Sequence, residues 1–166
     1  PTRSCRYSVY PTRENEVNIM KRVYVNEKWC LGCHLCEYNC AFANSGKKDM
    51  ADALKGKPIY PRIHIEGNEK ISYAVSCRHC EDPMCVKSCI AGAITREDGL
   101  IHIDQSKCVG CYTCILVCPY GALASNENGV MQKCELCLQN SCGAPACVKG
   151  CPNNAIVYEE RGDENG

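Results

Sequence analysis

Sixteen of the eighteen cysteines in this 166-residue chain fall into four groups of four, and their spacing limits what the chain can fold around. Two groups have the spacing C-x2-C-x2-C-x3-C, a third has C-x2-C-x4-C-x3-C, and the last has C-x2-C-x9-C-x3-C. In chain order the groups are Cys30, Cys33, Cys36 and Cys40; Cys77, Cys80, Cys85 and Cys89; Cys108, Cys111, Cys114 and Cys118; and Cys134, Cys137, Cys147 and Cys151.

The C-x2-C-x2-C-x3-C spacing is the ligand pattern of bacterial ferredoxins, in which three thiolates bind one [4Fe–4S] cluster and the fourth binds its neighbour. A tight loop can surround one face of a cluster with three such thiolates, and the three-residue step begins a helix that carries the fourth away. A zinc site would use one tetrahedral ion and would leave that fourth thiolate unused. Four groups therefore predict four [4Fe–4S] clusters, with all sixteen cysteines as iron ligands.

Composition restricts the alternatives. Cysteine is abundant enough for a disulfide scaffold, but no export signal is apparent at the N-terminus, so we expect a cytoplasmic protein in which metal ligation accounts for the thiols. The 19 basic and 19 acidic residues cancel, which argues against nucleic-acid binding through bulk charge. No apolar stretch is long enough to predict a membrane span.

The chain also repeats itself. Residues 23–33 align with residues 101–111, each as a short alternating strand, a polar turn and a cysteine loop. Residues 85–94 align with residues 147–156, and both segments begin with Cys-Val-Lys. The sequence thus predicts an α+β fold of two interlocked bacterial-ferredoxin-like units, a duplicated two-cluster fold. Because the apolar core would be small, we expect folding to depend on cluster assembly.

Chain distance indicates how the groups pair. Only eighteen residues, ending in an expected strand at 100–103, separate Cys89 from Cys108, which suits one compact core from the second and third groups. The first and fourth groups then form the other core. We predict an N-terminal extension at 1–19, a four-cluster domain at 20–160 and a tail at 161–166. Within the domain, the inner unit covers about 72–126, and the outer unit comprises 20–71 and 127–160.

The insert between the first two cysteine groups has its own pattern. It predicts a short helix at 47–55 and a hairpin of strands at 61–66 and 70–75, joined across a Gly-Asn turn.

Two cysteines lie outside the four groups. Cys142 follows Cys137 at a four-residue step and could take the place that Cys85 has in the second group. However, Cys147 begins the Cys-Val-Lys match, so we favour Cys147 as the ligand and assign Cys142 to an insertion. Cys5 has no neighbouring ligand and is expected to be a free thiol.

Histidines and aromatic residues also occur in the cysteine loops. His34 and His79 could ligate iron, but four cysteines are available per group, so we expect polar surface residues that tune the cluster potential. Trp29, Tyr112 and Tyr120 flank cysteines. We favour a packing role that keeps water away from the clusters over a role as electron relays.

No dinucleotide-binding loop, P-loop or catalytic constellation occurs in the sequence, so we predict no catalytic residue and a role in electron transfer. An alternative of a different class is a redox-sensing or scaffold iron–sulfur protein. We consider it less suitable because a sensor needs one labile cluster and not four.

These residues resemble the four-cluster electron-transfer subunits of anaerobic redox enzymes. The resemblance covers about residues 20–158 and rests on residues 29–36, 76–85, 108–111 and 145–147. Residues 30–38 and the insert at 41–61 look most like the iron–sulfur subunit that partners carbon-monoxide dehydrogenase. This resemblance implies electron flow from that enzyme to a hydrogenase or a flavin NAD(P)H oxidoreductase. Formate dehydrogenase, hydrogenase and aldehyde or molybdopterin oxidoreductases are the alternative partners.

The resemblance also implies a crossed ligand scheme, in which each cluster takes three cysteines from one group and one from another. The implied sets are site 1 (Cys30, Cys33, Cys36 and Cys151), site 2 (Cys40, Cys134, Cys137 and Cys147), site 3 (Cys77, Cys80, Cys85 and Cys118) and site 4 (Cys89, Cys108, Cys111 and Cys114). The chain departs from the commoner pattern by Ile90, where a proline usually follows the fourth cysteine of the second group, and by the additional Cys142.

Overall fold

Short strands lie before, between and after the four cysteine groups. A computed structural model describes residues 21–140 and 144–161. The expected extension at 1–19, Cys5, Cys142 and all but the first residue of the tail lie outside these residues. The described strands are β1 (Arg22–Val25), β2 (Ile63–Gly67), β3 (Ser72–Ser76), β4 (Ile94–Glu97), β5 (Leu100–Ile103), β6 (Leu123–Ser125), β7 (Met131–Lys133) and β8 (Ile156–Glu159).

The described α-helices are short; four begin within or beside the cysteine groups, and α2 lies in the insert between the first two groups. They are α1 (Leu35–Asn44), α2 (Met50–Leu54), α3 (Met84–Lys87), α4 (Thr113–Val117) and α5 (Ala146–Lys149). Proline precedes both α3 and α5, at Pro83 and Pro145. A proline at a helix start is tolerated because the amide that it lacks would have no partner inside the helix. The described residues therefore form a small mixed fold of helices and strands, as the sequence predicts.

The strands pair in antiparallel twos. Three pairs are hairpins of neighbouring strands: β2 with β3, β4 with β5 and β6 with β7. The fourth pair joins the first described strand to the last, with Val23 opposite Tyr158 in β1 and β8. This pairing brings the first and fourth cysteine groups together across almost the whole chain.

Several predicted elements are confirmed with adjusted bounds. The hairpin of the insert is β2 and β3, and the strand at 100–103 is β5. The predicted helix at 47–55 is shorter: α2 begins at Met50, because the side chain of Asp49 accepts a 3.0 Å hydrogen bond from the amide of Asp52 and caps it. The expected unit boundaries at 71/72 and 126/127 both fall between the paired strands of a hairpin, and the division into units stays a prediction.

Cysteines fill positions that aliphatic residues occupy in most domains. One buried cluster contains Ile63 and Ile156 together with five cysteines, and a second contains Ile94, Ile101 and Met131 together with two. Cys118 packs against both clusters. The apolar core is thus small and is continuous with the cysteine groups.

The described helices are all short. None of them is long and apolar enough to cross a membrane, since a spanning helix needs about 20 apolar residues.

Gly110 makes a close approach that only glycine permits. Its φ is +66°, and a Cβ atom there would lie 2.9 Å from the backbone oxygen of Gly129. Gly121 offers a comparison, because its φ is +61° but no atom of the described residues lies within 4 Å of the position of a Cβ.

We expect Gly110→Ala to destabilise the protein more than Gly121→Ala. Both variants force alanine into a left-handed conformation, at a cost of about 1–2 kcal/mol, but only Gly110→Ala also displaces a neighbouring backbone. Denaturant unfolding followed by circular dichroism measures the two free energies of unfolding. Equal losses in the two variants would show that the contact with Gly129 does not matter.

Candidate iron–sulfur sites

The first and third cysteine loops have the same backbone geometry. Gly32 and Gly110 have φ values of 63° and 66°. Two residues later, His34 and Tyr112 have left-handed conformations with φ and ψ of 60° and 1°, and 61° and 1°. Each loop turns its three cysteines around one space and then enters a helix, which is the geometry that the aligned sequences predict.

Two four-thiol cavities result from these loops. The site 1 cysteines line one cavity and the site 4 cysteines line the other. The three cysteines of one loop are joined in each cavity by a fourth from another cysteine group, Cys151 at site 1 and Cys89 at site 4.

Site 2 is more deeply buried. Cys40, Cys134 and Cys137 line one cleft. Burial raises the pKa of Cys147, and the proximity of these same three cysteines raises it further. The structure therefore brings the four cysteines of site 2 together, and Cys147 occupies the position that Cys142 could have taken.

Site 3 gathers the second cysteine group and Cys118. Burial raises the pKa of Cys85 to about 11, and Cys77, Cys118 and Cys80 contribute in the same direction. Because each of these three thiols raises the pKa of Cys85, the four thiols of site 3 lie close together. Each implied ligand set is thus assembled in the structure, although ligation itself remains a proposal.

The sites follow one another in a row. The proximity of Cys36 of site 1 raises the pKa of Cys147 of site 2, and the proximity of Cys77 of site 3 raises the pKa of Cys134 of site 2. Sites 3 and 4 are connected because α3 packs against α4. Cys33 of site 1 and Cys111 of site 4 are the two exposed members of the sixteen. The ends of the row therefore reach the surface, and its centre is buried.

The donor sets fit iron–sulfur clusters. Burial raises the pKa of Cys134 to about 12. It also raises the pKa of Cys40 to about 11, although the Arg62 amide acts in the opposite direction. These thiols would therefore keep their protons until a bound cation displaces them. Backbone amides then stabilise the thiolate charge, as the amide of Arg62 does by donating a 3.2 Å hydrogen bond to Cys40 Sγ.

Within the described residues, no three histidine, cysteine or acidic side chains converge closely enough to hold a single ion.

His79 is not the surface residue that the sequence indicates. Its side chain is 0% exposed, and its Nδ1 accepts a 3.1 Å hydrogen bond from the amide of Ile101. Burial, assisted by the charge of Lys133, lowers the pKa of His79 to about 3, so the ring is neutral with its proton on Nε2. Nε2 is buried and has no hydrogen-bond partner among the residues that the structure describes. The loop spacing alone could not indicate that this ring turns inward. His34, in contrast, is half-exposed and pairs with Glu37 at 2.7 Å.

Lys133 is a buried residue that the sequence does not single out, although it directly precedes Cys134. Its side chain is 1% exposed, and its Nζ donates a 2.9 Å hydrogen bond to the backbone oxygen of Cys134. Burial lowers the pKa of the ammonium group, and Cys77 and Cys134 act in the opposite direction. Nothing in the local pattern distinguishes this lysine from a solvated one.

The three flanking aromatic residues shield the sites only in part. Trp29 lines the site 1 cavity and Tyr112 the site 4 cavity, yet the two are 54% and 45% exposed. Tyr120 is also half-exposed, and its ring lies 5.7 Å from the guanidinium carbon of Arg78. The positions of Trp29 and Tyr112 are compatible with a packing role at the end sites, which stays a prediction.

Comparisons with known proteins agree with this chemistry. Residues 70–161 match the family described as a 4Fe-4S dicluster domain. An iron-sulfur protein of Rhodospirillum rubrum is 37% identical over 162 residues, which cover 88% of this chain and 83% of that protein. The electron transport protein HydN of Escherichia coli is 36% identical, with 80% and 83% covered. A subunit of the anaerobic dimethyl sulfoxide reductase of Escherichia coli is 35% identical, with 81% and 71% covered.

We expect Cys147→Ser to remove one cluster and Cys142→Ser to remove none. Cys147 lies among the other three thiols of site 2, so its loss should lower the iron content of the anaerobically reconstituted protein by about four atoms. Iron and sulfide analysis of both variants measures the difference. A full iron content in Cys147→Ser, with a loss in Cys142→Ser, would reverse the assignment.

Proposed function

Because the chain belongs to the 4Fe-4S dicluster domain family, we propose that it transfers electrons between two redox proteins along a row of four [4Fe–4S] clusters. The observation that carries the proposal is the row of four-thiol sites with one exposed cysteine at each end. When bound, each cluster accepts and releases one electron. The protein supplies the ligands, the spacing and the exclusion of water.

The proposal assigns the ligands as the four sets already defined. Sites 1 and 2 form the outer unit and sites 3 and 4 the inner unit of a duplicated ferredoxin-like fold spanning residues 20–160. The matching geometry of the Gly32 and Gly110 loops supports the duplication. The pairing of β1 with β8 supports the closure of the outer unit around the inner one.

The surface around each end site supports a two-ended arrangement. Leu31 lies between two cysteines of site 1 and is 66% exposed. Val109 lies at the corresponding place in site 4 and is 67% exposed. Exposed apolar side chains beside a redox site suit contact with another protein. A sensor would have no need for two such ends connected through buried sites.

We further propose carbon-monoxide dehydrogenase as the electron donor and a hydrogenase or a flavin NAD(P)H oxidoreductase as the acceptor, in an anaerobic cytoplasm. The support is the resemblance of residues 30–38 and 41–61 to the iron–sulfur subunit that partners that enzyme. The named relatives support the broader class, since one is an electron transport protein and another is a subunit of a reductase. Formate dehydrogenase, hydrogenase and aldehyde or molybdopterin oxidoreductases are the competing donors.

Rapid mixing tests the choice of donor. We expect the visible absorbance of the loaded protein to bleach quickly with carbon monoxide and its dehydrogenase, because the donor's outermost cluster must approach an end site. Formate with formate dehydrogenase, and hydrogen with hydrogenase, serve as matched comparisons at equal enzyme concentration. Faster bleaching with either comparison would overturn the carbon-monoxide assignment and leave the electron-transfer proposal intact.

Two matched substitutions test the two-ended arrangement. Leu31→Lys and Val109→Lys place the same charge at equally exposed positions beside opposite end sites. We expect each variant to slow electron exchange with one partner about tenfold or more, because loss of a central apolar contact typically costs about 1–2 kcal/mol or more. Stopped-flow rates with donor alone and with acceptor alone separate the effects. Slowing of both reactions by one variant would contradict separate ends.

A further inference from the structure

Lys133 is a buried cation at the junction between sites 2 and 3. It is the last residue of β7, where it lies opposite Leu123 in β6, and its side chain is 1% exposed. Its Nζ is held 2.9 Å from the backbone oxygen of Cys134, a site 2 cysteine. Cys77 and Cys85 of site 3 also lie within its electrostatic reach. The ammonium group is thus fixed between the two central sites.

Among the described residues, no carboxylate pairs with this cation. Lys133 forms no ion pair in that part of the chain, and the neighbouring Glu135 is paired with Arg62 instead. The other buried polar group close to it, His79, is an imidazole, which brings no negative charge whether or not it is protonated. A buried charge without compensation is strongly unfavourable, so a charged Lys133 needs a counter-charge from another source.

Apart from the Glu135 carboxylate, which is already paired with Arg62, the thiolates of sites 2 and 3 are the negative charges near this position. We propose that Lys133 is the shared counter-ion of the two central clusters and raises the reduction potential of both relative to the end clusters. A fixed positive charge in a low-dielectric interior stabilises the reduced form, which carries one more negative charge. This inference rests on the proposed four-cluster function. It explains how the two central clusters, at sites 2 and 3, would remain easy to reduce.

A redox titration of the full chain, loaded anaerobically and followed by electron paramagnetic resonance, tests the role of Lys133. In Lys133→Met, which keeps the length of the side chain and removes the charge, two of the four clusters should become harder to reduce. At the potential that half-reduces them in the native protein, their ratio of oxidised to reduced form should rise tenfold or more, equivalent to about 59 mV for a one-electron couple. The other two clusters should change less than about threefold, because their distance from the charge weakens its effect.

Lys87→Met is the matched control. Lys87 lies between Cys85 and Cys89, but its side chain is 57% exposed and pairs with Asp82. Water screens its charge, so the same substitution there should shift no cluster tenfold. Lys133→Arg keeps the charge and should leave the central potentials close to native.

Each result decides the matter. Native potentials in a fully loaded Lys133→Met protein, or an equal shift of all four clusters, would overturn the proposal. If Lys133→Met and Lys133→Gln fail to take up iron while Lys133→Arg loads fully, the positive charge is required and the proposal stands. If Lys133→Arg also fails, the charge is not what the position supplies. A native protein with fewer than about sixteen irons would contradict the four-cluster function instead.

Discussion

The structure depends on one constraint: each four-thiol site takes three cysteines from one segment and the fourth from a distant one. Site 1 is completed by Cys151, more than a hundred residues after its other members, and the β1–β8 pairing is what brings these segments together. Strands of three to five residues bury little apolar surface, so they cannot alone offset the entropy of ordering such a chain. Bonds from iron to thiolates would connect the segments that the strands only align, and folding and cluster binding then become one process.

Much of this arrangement could be predicted from the sequence because cluster loops are local. The spacing of the cysteines sets the turn, the glycine and the helix that follows, so Gly32 and Gly110 and the helices after them occur where the pattern indicates. The hairpin of β2 and β3 also follows from alternation and a Gly-Asn turn. The choice of Cys147 over Cys142 rests on alignment of the repeats, and the structure brings Cys147 to site 2.

Two buried polar residues beside the cysteine groups could not be predicted in the same way. Lys133 and His79 are polar residues next to cysteines, and the sequence offers no reason to bury them. Lys133 lies in β7, which packs against β5, and the Ile101 amide of β5 donates a hydrogen bond to His79, so both contacts join segments with no shared local pattern. Trp29 and Tyr112 line the end sites and remain half-exposed, because those sites lie at the surface.

The distribution of charge and apolar surface fits a protein that must meet two partners without binding either permanently. The net charge of zero provides little long-range steering, so encounter would depend on short-range contact. Leu31 and Val109 supply apolar surface beside the exposed cysteines at opposite ends, and small contacts of this kind suit weak redox encounters. The charge of Lys133 lies inside, where water cannot screen it and where we propose that it acts on both central clusters.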